Sequence, residues 1–387
     1  MKNKSLLIML AIILITSFIG GSTIFSQPNE ADMEKRVSSD LRTLYKPTKK
    51  TEVTEVTEVT EVTEVSLAAV GDLLIHKEVY NDAKTSSGYD FNPMFQEVSS
   101  HLSSADITFA NSESIMGGAA IGVSTYPSFN TPFELGDTLK ANGIDIVSMS
   151  NNHTLDRGVP AIENAINQWD FLGIEKVGSY LSPEERDTIT TIEKNDITFS
   201  FLAYTYGTNG IPTPDGKPYL VNRIDKDLIA SDIKRASSKS DVVVMSLHFG
   251  KEYERNPSAD QKELAAFAAE QGADIILGHH PHVLQPPEWI QNTDGSQSLV
   301  FYSLGNFLSG QEEKYRRIGG IAGVTVQKVK GMEGTSIDIK EPRFKLTYVD
   351  FENDQDFKIL PMKEFNADMF QELSKHMKTS IHDLLVN

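Results

Sequence analysis

"ADIILGHHPHVLQP", residues 273–286, runs from a short apolar segment directly into three of the chain's nine histidines. A near-continuous Ile/Leu run with turn-forming residues after it reads as a strand buried on both faces, as in a parallel sheet. His280 and His282 then fall just past the strand's carboxyl end, the place where ligands gather in open α/β sheets. In extended backbone alternate residues point the same way, so His280 and His282 are expected to face one site, with Pro281 stiffening the segment and His279 facing elsewhere.

The same pattern recurs along the chain. Apolar, β-branched runs appear at "SLAAVG" (66–71), "ADITFAN" (105–111), "IDIVSMS" (144–150), "ITFSFLAYTY" (197–206), "DVVVMSLHFG" (241–250) and "SLVFYSLGN" (298–306). Helical periodicity separates several of them, over 161–172 and again over 260–271, the latter with a Ser/Asp-rich start and Gly272 as a stop. Alternating strands and helices predict an α/β domain. Unusual polar residues end the strands in turn: Asp72; Asn111 and Glu113; Asn151, Asn152 and His153; His248; His280 and His282. A lone strand-end histidine is ordinarily just solvated, but five such sets in one topological place argue for a common site. From Gly319 to Phe351 the texture suggests antiparallel additions, and 367–385 an amphipathic helix whose apolar stripe (Met369, Phe370, Leu373, Met377, Ile381, Leu384) reads as a packing face.

Composition narrows the chemistry. The chain has 387 residues and no cysteine, which excludes disulfides, thiolate metal sites and cysteine nucleophiles. A formal charge of −18 without a basic stripe argues against nucleic acid as a partner. Imidazoles, carboxylates and an amide oxygen without sulfur suit Mn, Fe or Zn. Upstream, Lys2 and Lys4 precede an apolar run from Leu6 to Ile19, which predicts a membrane-targeting segment with everything after residue 26 outside. An uncleaved anchor is favoured over a cleaved signal and a secreted form, because "GGSTIFS" offers only weak cleavage sites. The triplet "TEVTEVTEVTEVTEV" (51–65) matches neither strand nor helix period and reads as an acidic spacer. The expected organisation is a signal-anchor over 1–26, a disordered acidic linker over 27–65, a domain over 66–350, and a C-terminal extension over 351–387.

"AAVGDLLIH", "NSE", "SNNHTLDRG", "SLHFGKEY", "GADIILGHHPHVLQP" and "FYSLGNF", in this order over roughly 66–330, resemble the motif series of the capsule-biosynthesis CapA (poly-γ-glutamate synthesis) family, a branch of the calcineurin-like metallophosphoesterase superfamily. The resemblance implies a four-layered αββα sandwich with two divalent metal ions at its strand ends. It implies Asp72, Glu113, Asn152, His248, His280 and His282 as metal ligands, with His153 as the neighbouring acid. Two departures stand out: the superfamily's opening Asp-x-His is here Asp72-Leu73-Leu74, with His76 close by, and Glu113 replaces a bridging Asp.

Two functions from different classes follow. One is a metal-dependent hydrolase acting on a phosphoester or a γ-glutamyl polymer, with His153 as general acid oriented by Asp156 and with Arg316 and Arg317 available to an anionic substrate. The other is a non-catalytic, membrane-anchored scaffold of an envelope polymer synthesis and export complex, whose partners are the anionic polymer and membrane subunits. Under either reading the domain belongs outside the cell membrane.

Overall fold

Two β-sheets lie face to face, and the polar residues singled out above sit at one end of both. The computed structural model describes residues 61–332 and 334–387. The expected anchor over 1–26 and the linker over 27–60 lie outside the described residues, and no helix among the described residues is long and apolar enough to cross a membrane.

The first sheet has nine strands. Its parallel half is β1 (Glu61–Leu74), β2 (Ile107–Asn111), β3 (Ile146–Ser148) and β4 (Glu175–Val177). The second sheet has six strands. Its parallel centre is β5 (Ile197–Thr205), β6 (Val242–His248), β7 (Ile275–His279) and β8 (Gln297–Phe301), flanked by antiparallel edges at Thr190–Lys194 and Glu288–Gln291. The first sheet continues beyond β1 in antiparallel fashion through β9 (Ile318–Gly331), β10 (Gly334–Glu352) and β11 (Gln355–Pro361). Asn306–Ser309 pairs with the end of β1, and Leu385–Val386 with β10.

Three buried clusters define the layers. Leu67, Ala69, Phe109 and Ile146 of the first sheet meet Phe199, Phe201, Val244 and Ile275 of the second between the sheets. Helices α1 (Ser99–Ser103), α2 (Glu134–Ala141) and α3 (Gly158–Leu172) contribute Leu102, Leu139 and Trp169 to the cluster outside the first sheet. Outside the second sheet, α4 (Lys226–Ser237) and α5 (Ala259–Glu270) contribute Ile233 and Ala265. The near-continuous apolar strands are explained by this burial on both faces.

Local signals place the elements. Ser258 and Gln261 close a capping box at the start of α5, and Gly173, at φ 62°, takes the left-handed position that ends α3. An aspartate opens four of the strands and accepts the backbone N–H of a neighbouring strand: Asp106 from Ser66 at 2.8 Å, Asp145 from Thr108 at 2.9 Å, Asp241 from Thr198 at 2.9 Å, and Asp274 from Val243 at 2.7 Å. Carboxylates thus register one end of each sheet, leaving the other end for chemistry.

Two boundaries differ from expectation. Strand β1 begins at Glu61, inside the triplet tract, because β9 supplies a ladder from Glu61 opposite Lys330 to Val70 opposite Ile321. Backbone pairing does not need the side-chain period that the triplet lacks, so residues 61–65 are strand rather than linker. At the other end, residues 351–387 are built into the domain: β11 extends the first sheet, and α6 (Ala367–Met377) ends earlier than the expected 385, with Leu373, Met377, Ile381 and Leu384 all in the inter-sheet core.

Candidate metal centre

The carboxyl ends of β1, β2, β6 and β7 converge on one buried cluster. Asp72 is carried there by a close approach of backbones: its N–H donates to Gly305 O at 2.9 Å, and a Cβ on Gly71 would lie 2.1 Å from that same oxygen. Asn111 Nδ2 donates to Asp72 Oδ1 at 2.8 Å. His279 Nδ1 lies 3.2 Å from Oδ1, while the His280 N–H donates to Oδ2 at 3.2 Å and His282 Nδ1 lies 3.2 Å from the same oxygen.

Glu113, fully buried, faces this group. Among the described residues both of its carboxylate oxygens lack a hydrogen-bond partner, as do His279 Nε2 and His280 Nδ1. Its Oε1 is 3.5 Å from His248 Nε2 and 3.6 Å from His282 Nε2. Ligand atoms of Glu113, His280 and His282 all lie within 4.8 Å of one another. Asn152 Oδ1 sits 2.8 Å from His248 Nε2, which joins β3's end to the cluster. Beside it, His153 Nδ1 is 2.7 Å from Asp156 Oδ2, and that oxygen also accepts the Phe129 N–H at 2.7 Å. His153 packs edge-on against Phe129 at 4.7 Å between ring centroids.

Electrostatics favour a cation here. Burial opposes ionised Asp72, but the contacts from His279 and His282 outweigh it and hold the carboxyl well below the usual range. Burial pushes Glu113 well above its ordinary value. Burial and neighbouring imidazoles pull His248 well down, and burial takes His280 to about 3, so both are neutral and able to donate a lone pair. Burial opposes a charge on His282 too, yet Glu113 and Asp72 raise it to about 9. The His282 proton thus supplies positive charge that the two carboxylates call for, and a divalent ion would displace it. Orphaned acceptors, neutral imidazoles and an all-N/O donor set fit a borderline divalent ion.

The structure gathers Asp72, Glu113, Asn152, His248, His280 and His282 in one place, but not for every expected reason. His280 and His282 have φ of 97° and 57°, so they converge through a strained left-handed turn and not through extended pleating. His279, expected to face away, contacts Asp72 instead. His76 is held at Nδ1, which lies 2.9 Å from Leu74 O and 3.2 Å from the Gly310 nitrogen. Arg316 and Arg317 part company. The Arg316 guanidinium lies 3.4 Å over Tyr253, whose ring centroid is 6.2 Å from that of His282, whereas Arg317 donates to Val349 O at 2.8 Å and stacks over Phe351 at 3.9 Å, away from the cluster.

Sequence reasoning left several contacts out. Asn306 Oδ1 lies 3.0 Å from His282 Nδ1 and orients that ring; its place in "FYSLGNF", immediately after a strand, is the signal that could have identified it. Tyr206, half-exposed, covers His280 at 4.7 Å between centroids and follows β5 as the ligands follow their own strands. Asn209 reaches Asn152 and His153 at 3.4 Å each from a loop with no such signal. The groove of about 730 Å³ near Arg186, Tyr219 and Leu228 includes none of the converging ligands.

Comparison with known proteins finds similar chains. The chain is 30% identical over 207 residues to the "PGA biosynthesis protein CapA" of Bacillus subtilis (strain 168), covering 52% of this chain and 53% of the relative. It is 28% identical over 258 residues to the "Capsule biosynthesis protein CapA" of Bacillus anthracis, covering 64% and 60%. The chain therefore spans little more than half the length of these relatives. Among solved structures, a Haemophilus influenzae NAD nucleotidase (NadN) overlaps at a TM-score of 0.42 with 12% identity, covering 84% of this chain and 57% of that one. A putative 5'-nucleotidase from Staphylococcus aureus overlaps at 0.43 with 15% identity, covering 77% and 54%. Overlaps this slight carry no conclusion about chemistry. The model of the family described as bacterial capsule synthesis protein PGA_cap matches residues 66–311, which include every residue of the cluster, and the chain belongs to that family.

Proposed function

We propose that this chain is a membrane-anchored, extracytoplasmic protein of capsule or poly-γ-glutamate synthesis or export, built on a four-layered fold of metallophosphoesterase type and carrying a hydrolase-type centre. The observation that carries the hydrolytic reading is Glu113: a buried carboxylate with no partner, flanked by His248 and His282, beside a His–Asp pair. Two divalent ions, Mn, Fe or Zn, held by Asp72, Glu113, Asn152, His248, His280 and His282 would lower the pKa of a bound water and polarise a phosphoryl or amide oxygen. Asp156 fixes the His153 ring through Nδ1, which leaves Nε2 to deliver a proton to the leaving group. Tyr206 and Tyr253 cover the cluster and restrict water, and Arg316, stacked on Tyr253, meets an anionic group of the substrate. Arg317, committed to β10, takes no part.

Hydrolysis of model phosphodiesters and of γ-linked glutamate peptides by the full chain tests this reading, with metal content measured in parallel. His153→Ala should lose about 10²- to 10⁴-fold in turnover while keeping its metal. Glu113→Ala should lose both. A second reading, a metal-binding scaffold for membrane subunits and the emerging polymer, is favoured by Leu74, a buried apolar residue where the resemblance places a histidine ligand. Wild-type protein inert on every substrate, together with loss of polymer in cells carrying His153→Ala, would select the scaffold. Protease added to intact cells should remove the domain, and protection would overturn the external location.

A further inference from the structure

The last helix reaches the cluster through two loops. Along α6 the buried side carries Leu373 and Met377, four residues apart, so the residues just before them, Glu372 and His376, share a neighbouring face. Asn366 caps the helix, its side chain accepting the Met369 N–H at 3.0 Å, and so fixes where that face begins. All of α6 lies outside residues 66–311, the part of the chain matched to the family.

Glu372 gathers side chains from two segments. Its Oε1 accepts the Tyr315 hydroxyl at 2.6 Å and its Oε2 accepts from Lys314 Nζ at 2.9 Å, both in the turn Lys314–Arg317. Arg255, in the loop after β6, brings Nη1 to 3.6 Å from Oε1 and lays its guanidinium 3.9 Å over the Tyr315 ring. His376 fastens the same loop by its main chain: Nε2 is 3.0 Å from Arg255 O and 3.3 Å from Leu284 O, and a ring nitrogen facing two carbonyls donates.

These two segments carry the cover of the cluster. Tyr253, at φ 69°, donates its N–H to Pro281 O at 2.7 Å, which ties it to the turn bearing His280 and His282. From the other segment Arg316 stacks 3.4 Å over the Tyr253 ring; its carbonyl accepts from Asn306 Nδ2 at 2.8 Å and its Nη2 meets Glu313 Oε2 at 3.0 Å. Tyr253 and Arg316 thus face each other across a seam that Glu372 closes through their near neighbours, Arg255 and Tyr315. Partly exposed ion pairs contribute little to global stability, so the effect of this carboxylate falls on where the two segments stand.

We infer that Glu372 is a positioning residue of the centre: by joining the Tyr315 turn to the Arg255 loop, it holds the Arg316 guanidinium on Tyr253 beside His282. On the reading of Arg316 as the group that meets an anionic substrate, on which this consequence rests, Glu372 also governs the affinity for that substrate. Its contacts are to Lys314, Tyr315 and Arg255, one step removed from the ligands, so its removal should act through Arg316.

Hydrogen exchange on the chelator-treated full chain tests the positioning without any ligand. Glu372 is exposed on a helix, where alanine is well accepted, so Glu372→Ala should fold. It should speed exchange in peptides that include Tyr253 and Arg316 about three- to tenfold, while β6 and β7 stay as slow as in wild type. Tyr315→Phe should reproduce part of this, and Lys375→Ala, on the same helix, none of it. A second arm titrates inorganic phosphate into Mn²⁺-loaded protein: Glu372→Ala should weaken binding about threefold or more, and Arg316→Ala/Glu372→Ala should be no weaker than Arg316→Ala alone. Unchanged exchange at both segments in Glu372→Ala overturns the inference, as does acceleration throughout the domain, which marks a merely structural role. A loss of phosphate affinity that adds to that of Arg316→Ala overturns it too. Faster exchange at the two segments, with phosphate binding absent or altered by neither substitution, supports the positioning and counts instead against the reading of Arg316.

Discussion

Glu113→Gln separates what the proposed metal centre costs from what it does. Among the described residues the Glu113 oxygens are buried without a hydrogen-bond partner, and imidazole nitrogens stand 3.5 and 3.6 Å away. A buried group left unsatisfied costs about 1–3 kcal/mol, and more if charged, whereas a neutral amide of the same shape is cheaper to bury. The compact unit Glu58–Asn387 contains about 330 residues, and at about 2.1 cal/mol/K per residue its unfolding entropy is about 0.7 kcal/mol/K. The amide still leaves polar atoms unpaired, so only the difference between the two groups is relieved, and each 1 kcal/mol of that difference raises Tm by about 1.5 °C. Wild type should gain the opposite way, since a ligand at a hundred times its Kd adds about 2.7 kcal/mol, or about 4 °C. Calorimetric melts of chelator-treated full chain, before and after adding Mn²⁺ or Zn²⁺, should thus cross: the variant higher without metal, wild type higher with it. A metal-free variant that melts at or below wild type, or one that keeps the full metal-induced rise, would refute the assignment of Glu113 as an orphaned ligand.

Elemental analysis of wild type should show one or two transition-metal equivalents, and removing two imidazoles at once, His280→Ala/His282→Ala, should reduce them to a small fraction. Arg316→Ala should raise KM for an anionic substrate about tenfold and cost about 1 kcal/mol through its lost contact with Tyr253; Arg317→Ala should cost about as much but leave KM alone, because its contacts are to Val349 and Phe351. Asp274 supplies the pH dependence: burial raises its carboxyl from 3.8 to about 6, so the folded state holds this proton more tightly than the unfolded chain does. Below 3.8 the residue imposes no penalty; the penalty grows as pH rises toward 6 and is complete above it, at most about 3 kcal/mol for about two decades. Asp274→Asn, which can still accept the Val243 N–H, should therefore stabilise the protein at pH 7.5 and not at pH 3.5 in chemical denaturation; equal effects at both would contradict the sign.

Much of the centre was legible because its signal is local. An apolar run followed by Asp, Glu, Asn or His is a statement about a few consecutive residues, and the end of a parallel strand is a known address for ligands. Order and texture mark Asp72, Asn111, Glu113, Asn151, Asn152, His153, His248, His280 and His282 as polar strand ends, while the choice of six of them as metal ligands comes from the family resemblance; helix α5 is legible from its Ser258 cap and the last helix from its packing stripe. Backbone conformation is not legible in the same way. Extended geometry was the argument for pairing His280 with His282, and left-handed φ values at both histidines are what bring them together. The triplet tract showed no period, and its last residues became strand because β9 offered them hydrogen bonds.

The sequence by itself determined the layered α/β class, the strand ends that carry polar side chains, and a donor set without sulfur, since each depends on side-chain chemistry and short-range periodicity. Only the tertiary structure decided who meets whom. Asn111 approaches His248 across 137 residues, and Asp72 receives the His280 N–H across 208, distances over which no local pattern carries information. It also decided that His279 turns in, that Asn306 steadies His282, and that Arg316 and not Arg317 stands near the cluster. Each is a consequence of which strands lie side by side, and strand order is set by the burial of whole faces rather than by any one residue.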